Sequence, residues 1–259
     1  MPTPASAMPD AKTLLLCFLR SYLIGAAFNT RGHQNIGIVF AMEPGLAAIY
    51  PDPRARREAR KRYLRHFNTH PFWAPLLVGT FLSLEARIAR GTFPAEVLRG
   101  LKDTTVYTLS AIGDSVFGGS MLVFWSLTTC ALVVSGNNGA AFLWSLMLFV
   151  SLQVFKLFTF AAGLREGLKV LQRLKQWDLI NWGEKLKLCN AVVLAGLLWL
   201  IWPHHQHAPR WTLSALLLLL ASWLVSRFHV SRIFLVVCAT AAAFALPWAD
   251  DWMPLPWGF

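Results

Sequence analysis

The chain has 259 residues, of which 56% are apolar and only 14% charged, and its mean hydropathy is +0.48. Soluble domains carry about a quarter charged residues, so the composition excludes an ordinary soluble domain and indicates an integral membrane protein. The net charge of +11, from 24 Lys and Arg against 13 Asp and Glu, sits in loops beside apolar runs, the pattern that orients membrane proteins and not that of a nucleic-acid-binding stripe.

Residues 1–10 lack the positive start and small-residue cleavage site of a secretory signal and read as a short disordered lead. From Ala11 to Ala27 an apolar segment is interrupted by Arg20 and Ser21, which suits an interfacial helix. Residues 35–50 are apolar but contain Glu43 and Pro44, and Pro51-Asp52-Pro53 ends them. A basic helix follows, with Ala55, Ala59, Tyr63 and Phe67 recurring every four residues on one face. Its other positions carry Arg54, Arg56, Arg57, Arg60, Lys61, Arg62 and Arg65, and Glu58 is spaced to pair with Arg62. Such a helix lies on an anionic membrane face or docks an acidic partner protein. Residues 71–89 predict a short helix holding Glu85, with Arg87 and Arg90 marking an interface. Residues 103–120 are rich in Thr, Ser and Gly and contain Asp114; irregular backbone is expected there, which at membrane depth survives only inside protein or along a watery cavity.

Apolar runs then occupy 116–135, 140–163, 188–202, 212–226 and 233–248, the last three short for a full span. The loop 135–139 is uncharged, whereas the next carries Arg165, Lys169, Arg173, Lys175, Lys185 and Lys187. A loop with Arg210, then Arg227 and Arg232, then a tail with Asp250 and Asp251 continue the alternation, which places the basic loops in the cytoplasm and the carboxy terminus outside. Trp199, Trp202, Trp211, Trp248, Trp252 and Trp257 cluster near the outer ends. The expected fold is an all-α integral membrane protein, a multi-span helical bundle with amphipathic and interrupted or re-entrant helices. Residues 11–112 would form the amphipathic and re-entrant half of a single domain, and 113–259 its transmembrane bundle.

Catalytic signatures are absent: there is no P-loop, no G-x-S-x-G and no H-E-x-x-H. Cys17, Cys130, Cys189 and Cys238 lie in apolar stretches without a C-x-x-C pair and read as small buried residues. His204, His205 and His207 form the one tight histidine cluster and read as an exposed polar loop, not a metal site. The polar groups of greater interest are Gln34, Asn35, Glu43, Asn68, Thr69, His70, Glu85, Asp114 and Ser115, because ionisable and amide groups at membrane depth face a bundle interior or a substrate path. A hydroxyl-rich ligand suits them, since carboxylates and amides replace the hydrogen bonds that sugar hydroxyls lose on dehydration. Structural roles compete: Asn68 and Thr69 as caps of the helix near Pro71, Glu85 as the partner of an arginine, Gly113-Asp114 as a helix-ending turn.

Three stretches together resemble the mannose/fructose/sorbose-type IID family of sugar phosphotransferase permeases. They are Phe18-Leu19-Arg20-Ser21 continuing through Phe28-Asn29 to Gly37, Met42, Pro44 and Tyr50-Pro51; His66-Phe67-Asn68-Thr69-His70-Pro71-Phe72 followed by Pro75, Gly79 and Leu84-Glu85; and Ser110 to Gly119 around Gly113-Asp114. The resemblance implies a subunit of a bacterial inner-membrane permease that moves a hexose together with a IIC subunit, in a higher oligomer. Phosphate would pass through histidines of soluble IIA and IIB units, so no catalytic residue and no cofactor is implied here. Substrate contacts are expected from Asn68, Thr69, Glu85, Asp114, Gln34 and Asn35, and docking of IIB from Arg57, Arg60 and Lys61. Two departures stand out: Ser115 replaces the proline usual after Gly-Asp, and His70 stands where glutamine is common. Ser115 and the shortened outer loop, Pro203–Trp211, keep a second reading in play, a non-transporting membrane scaffold or sensor on the same fold.

Overall fold

The computed structural model describes residues 8–201 and the isolated positions Leu216, Trp223, Arg227 and Val237. Expectations for the lead up to Ala7, the His204–His207 loop, the apolar runs 212–226 and 233–248 and the acidic tail lie outside the described residues. Among the described residues every regular element is helical.

Helix α1 (Ala11–Ser21) starts where Asp10 accepts the Thr13 amide at 3.1 Å, and a 3-10 turn at Ile24–Ala27 follows it. Helix α2 (Asn35–Ile49) carries Pro44 in its interior. Proline lacks the N–H that would bond the carbonyl four residues back, which orphans the Phe40 oxygen. Arg20 supplies the missing donor at 3.4 Å and lays its guanidinium 4.6 Å from the centre of the Phe40 ring. The charge that interrupts the first apolar run thus ties α1 to α2.

Helix α3 (Pro53–Tyr63) is the basic helix, with Pro53 in its first turn and Asp52 accepting the amides of Arg54 and Ala55 at 3.3 and 3.0 Å. Ala59 and Tyr63 are buried, as the four-residue spacing predicts. Glu58 pairs with Lys61 at 2.7 Å and not with Arg62, because Arg62 turns inward to Glu85. Helix α4 (Ala74–Ala89) begins at Trp73 with no side-chain cap, so Asn68 and Thr69 do not cap it.

Helix α5 (Ala95–Gly113), a π-helical stretch (Asp114–Met121) and helix α6 (Leu122–Val134) form one unbroken rod of 40 residues. The irregular backbone expected over 103–120 is therefore helical, and the expected boundary at 112/113 falls inside the rod. Side chains explain the difference: Thr104 and Thr108 donate to the carbonyls of Gly100 and Thr104 at 3.1 and 2.9 Å, which satisfies their hydroxyls without breaking the helix. In the π-helical stretch the Ser120 hydroxyl reaches the Ser115 carbonyl five residues back at 3.0 Å. Helix α7 (Asn138–Glu166) has 29 residues, and this helix and the rod are each long and apolar enough to cross a membrane. The expected basic loop after it is largely helical, as α8 (Lys169–Gln176) and the start of α9 (Leu179–Ile201).

Helix α6 buries none of its residues, and Phe142, Leu143, Met147, Val154 and Phe158 of α7 are exposed. An apolar outer surface of this extent belongs in lipid or against a membrane partner. The inner face of α7 packs on α4 with both helices running the same way: Lys156 lies by Phe72, Gly163 by Leu76 and Thr80, Gly167 by Ser83. Gly163 permits the approach, since a Cβ there would sit 2.6 Å from the Leu76 carbonyl oxygen and 2.8 Å from the Thr80 amide nitrogen. Gly163→Val should destabilise the subunit by about 1–3 kcal/mol, the usual range for overpacking, read as a lower unfolding midpoint in detergent micelles.

Candidate functional site

Two clusters bring the notable residues together. The first is a junction between residues 28–35 and 64–73. Asn29 and His33 exchange backbone bonds at 2.9 Å, with His33 in the left-handed region at φ 58°. The Gln34 amide donates to the Phe67 carbonyl at 2.8 Å, and the Phe67 amide to the Gly32 carbonyl at 3.2 Å. Side chains lock this pairing. The Gln34 Oε1 accepts the Thr69 amide at 3.0 Å, the Asn35 Nδ2 donates to the Leu64 carbonyl at 2.6 Å, and the Asn35 Oδ1 accepts from Asn29 at 2.9 Å. Asn35 is thus spent on structure. Thr69 is buried, and among the described residues neither its hydroxyl nor the indole N–H of the fully buried Trp73 has a hydrogen-bond partner. Asn68 is half-buried and its side chain makes no hydrogen bond among the described residues.

The start of the π-helical stretch meets the same junction. A Cβ on Gly113 would lie 2.3 Å from the His70 Cβ, so only glycine allows the two segments to touch. The His70 ring stacks on Phe117, 5.4 Å between centres and 24° between planes. Asp114 is exposed at the end of this contact, near enough to act electrostatically on His70. Its carboxylate makes no hydrogen bond or ion pair among the described residues.

The second cluster surrounds Glu85, which is fully buried on α4. Its carboxylate accepts from the hydroxyls of Tyr50 and Tyr63, each at 2.8 Å, and from the Arg62 Nε at 2.9 Å, and a second Arg62 nitrogen completes a bidentate ion pair. Burial, and next the Glu85 charge, hold the Tyr63 phenol well above its ordinary range, and Tyr50 is raised for the same reasons, so both remain donors. Burial works against the Arg62 charge, but the bonds to Glu85 outweigh it and raise its pKa. This carboxylate has no acceptor site left for a substrate, which is the structural alternative raised for it from the sequence.

Residues 10–199 match the family described as the PTS system mannose/fructose/sorbose family IID component. The chain belongs to this IID family. It is 29% identical over 189 residues to the mannose-specific EIID component of Escherichia coli K12, covering 70% of this chain and 64% of that one. It is 25% identical over 191 residues to the fructose permease IID component of Bacillus subtilis 168, covering 72% and 68%. Among solved structures, a chain of the mannose transporter ManYZ in complex with microcin E492 shares its fold with a TM-score of 0.56 at 24% identity, covering 92% of this chain and 96% of that one. A second chain, described as a membrane protein, matches with a TM-score of 0.74 at 23% identity, covering 91% and 96%. The chain spans less than two thirds of the length of the E. coli relative.

The three motif stretches of the IID chain therefore converge: the first and second pair through Gln34 and Phe67, the second and third through His70 and Gly113. Of the docking candidates, Arg57 and Lys61 project from α3, whereas Arg60 is tied to Glu43 in a bidentate pair. Sequence reasoning missed Lys156. It is buried on α7 with its ammonium 4.3 Å from the centre of the Tyr22 ring and 5.0 Å from that of Phe72. The signal was available, since it is the one charge within the apolar run 140–163. Arg62 and Tyr63 were placed on the basic helix but not linked to Glu85.

Glu85→Gln should cost the subunit about 3–5 kcal/mol by leaving Arg62 without its charge partner. The double variant Glu85→Gln/Arg62→Met should lose clearly less than the sum of the two single variants in a thermal-unfolding cycle.

Proposed function

We propose that the chain is a multi-pass IID subunit of a bacterial inner-membrane phosphotransferase permease, which binds and translocates a hexose together with a IIC subunit in a higher oligomer. The observation that carries the reading is the junction at 66–73, where three motif segments meet around a buried Thr69 hydroxyl and a Trp73 N–H that have no partner among the described residues. Buried polar groups are nearly always satisfied, and a ligand rich in hydroxyls supplies the missing bonds. Asn68, Thr69, Asp114 and the free amide group of Gln34 make the substrate contacts. Asn35 and Glu85 act one step back, by holding the junction and α3 in place. Phosphoryl transfer is left to IIA and IIB, and the exposed Arg57 and Lys61 on α3 offer IIB a cationic face at the cytoplasmic side. The clustering of basic residues on α3 and around α8 favours that side.

The second reading, a non-transporting scaffold or sensor, draws on Ser115. With serine instead of proline, the backbone N–H is retained and the rod runs straight through the Gly113-Asp114 element. Co-expression with a IIC subunit of this family, verified phosphorylated IIB, and labelled mannose or fructose in vesicles separates the two. Phosphoenolpyruvate-dependent uptake supports the permease; co-purification without uptake supports the scaffold. Thr69→Val, which removes the hydroxyl but keeps the shape, should leave the empty subunit as stable or more so while raising the half-saturation for uptake about tenfold.

A further inference from the structure

Two buried lysines lie outside the clamp around Glu85: Lys102, which donates to the His66 carbonyl at 3.2 Å and pairs with Asp103 at 2.8 Å, and Lys156. Lys156 makes no ion pair and no side-chain hydrogen bond among the described residues, although unpaired charge at membrane depth is costly and commonly marks a substrate path. Its ammonium borders a cavity of about 110 Å³ lined also by Tyr22, Gln34, Pro71 and Ala74. That space holds a few waters or one hydroxymethyl arm of a sugar, not a whole hexose ring. Gln34 joins the cavity to the junction, because the same side chain accepts the Thr69 amide at 3.0 Å. The remaining polar neighbours are already engaged: Ser21 donates to the Phe18 carbonyl, and Tyr22 donates to Gln153 at 2.8 Å.

The chemistry selects among ligands. The faces of Tyr22 and Phe72 are electron-rich, so they stabilise the ammonium and disfavour a free anion beside it. Aromatic faces next to a cationic donor and an amide suit a neutral ligand with C–H faces and hydroxyl oxygens. We propose that Lys156, with Gln34 and Tyr22, forms a cationic subsite for one hydroxyl-bearing arm of the hexose, its ammonium donating to a hydroxyl oxygen. The inference rests on the permease reading and names a contact that its motif residues do not include.

The test is equilibrium binding of radiolabelled mannose and fructose to the co-purified IID–IIC pair, comparing wild type, Lys156→Met and Lys156→Arg. Lys156→Met should weaken binding about 10- to 100-fold, as expected for a lost charged hydrogen bond, with co-purification unchanged; Lys156→Arg, which keeps the charge, should retain most of the affinity. Amine acylation of the wild-type pair, followed by peptide mass spectrometry, should show Lys156 protected when the bound sugar is present, a readout that needs no variant to fold. Equal binding by wild type and Lys156→Met, or unchanged labelling of Lys156, overturns the subsite while leaving the permease reading intact. Loss of co-purification in Lys156→Met, with Lys156 labelling insensitive to sugar, assigns the residue to a carboxylate of the partner and overturns it too. A wild-type pair that binds neither sugar removes the subsite and the permease reading together.

Discussion

A fully buried carboxylate must find donors within the protein, and Glu85 finds them on two other segments at once. Tyr50 lies at the end of α2, and Arg62 and Tyr63 lie in the last turn of α3, so one side chain on α4 fixes three helices. Each donor is itself pinned by the bonds it makes, since moving any one leaves charge or hydroxyl unpaired in a dry site. The segment 64–73 runs from the end of α3 to the start of α4. Its first end is held by this clamp at Tyr63, and its middle by the bonds of Phe67 and Thr69 to Gly32 and Gln34.

The polar groups of the chain thereby divide into those that are spent and those that are not. Glu85, Asn35 and the Gln34 carbonyl oxygen have their bonding filled by protein. Arg20 is spent on the carbonyl that Pro44 orphans, and Arg60 on Glu43. Among the described residues, Thr69, Trp73, Asn68, Asp114 and Lys156 are not spent and gather around residues 66–73, while the Thr80 hydroxyl farther along α4 and the Asn190 side-chain oxygen on α9 are open as well. Buried groups left unsatisfied call for an explanation, and two of them, the Thr69 hydroxyl and the Trp73 N–H, lie where three motif segments meet, with the exposed Asp114 beside them.

The Gly113-Asp114 element opens the π-helical stretch between α5 and α6. The helix widens to a π-helical stretch and does not stop. The wider turn is stabilised from both sides: Ser120 bonds the Ser115 carbonyl, and Asn190 of α9 donates to the Ser120 carbonyl at 2.9 Å. Local π-helical geometry of this kind frequently accompanies functional sites, and the two glycines and two serines in the stretch leave room for neighbouring segments to approach.

Membrane character, helical class and the family were legible in the sequence because each depends on local or cumulative properties. Apolar content, the four-residue spacing of Ala55, Ala59 and Tyr63, and the strings around Asn68 and Asp114 need no partner to be read. Helix ends and irregularity were less legible: 103–120 looked broken because serine, threonine and glycine disfavour helices on average, yet their hydroxyls bond the helix's own carbonyls here. The pairing of side chains was beyond the sequence altogether. Glu58 has Arg54, Lys61 and Arg62 within helical reach; the approach of α4 draws Arg62 to Glu85, and Lys61 becomes its partner. Which polar groups are spent and which remain open, and that Lys156 stands beside Tyr22 and Gln34, is decided by the packing of α1, α4 and α7. Those contacts join residues from more than eighty to more than a hundred and thirty positions apart, as Phe72 with Lys156 and Tyr22 with Lys156, and nothing in the local chain encodes such a distance.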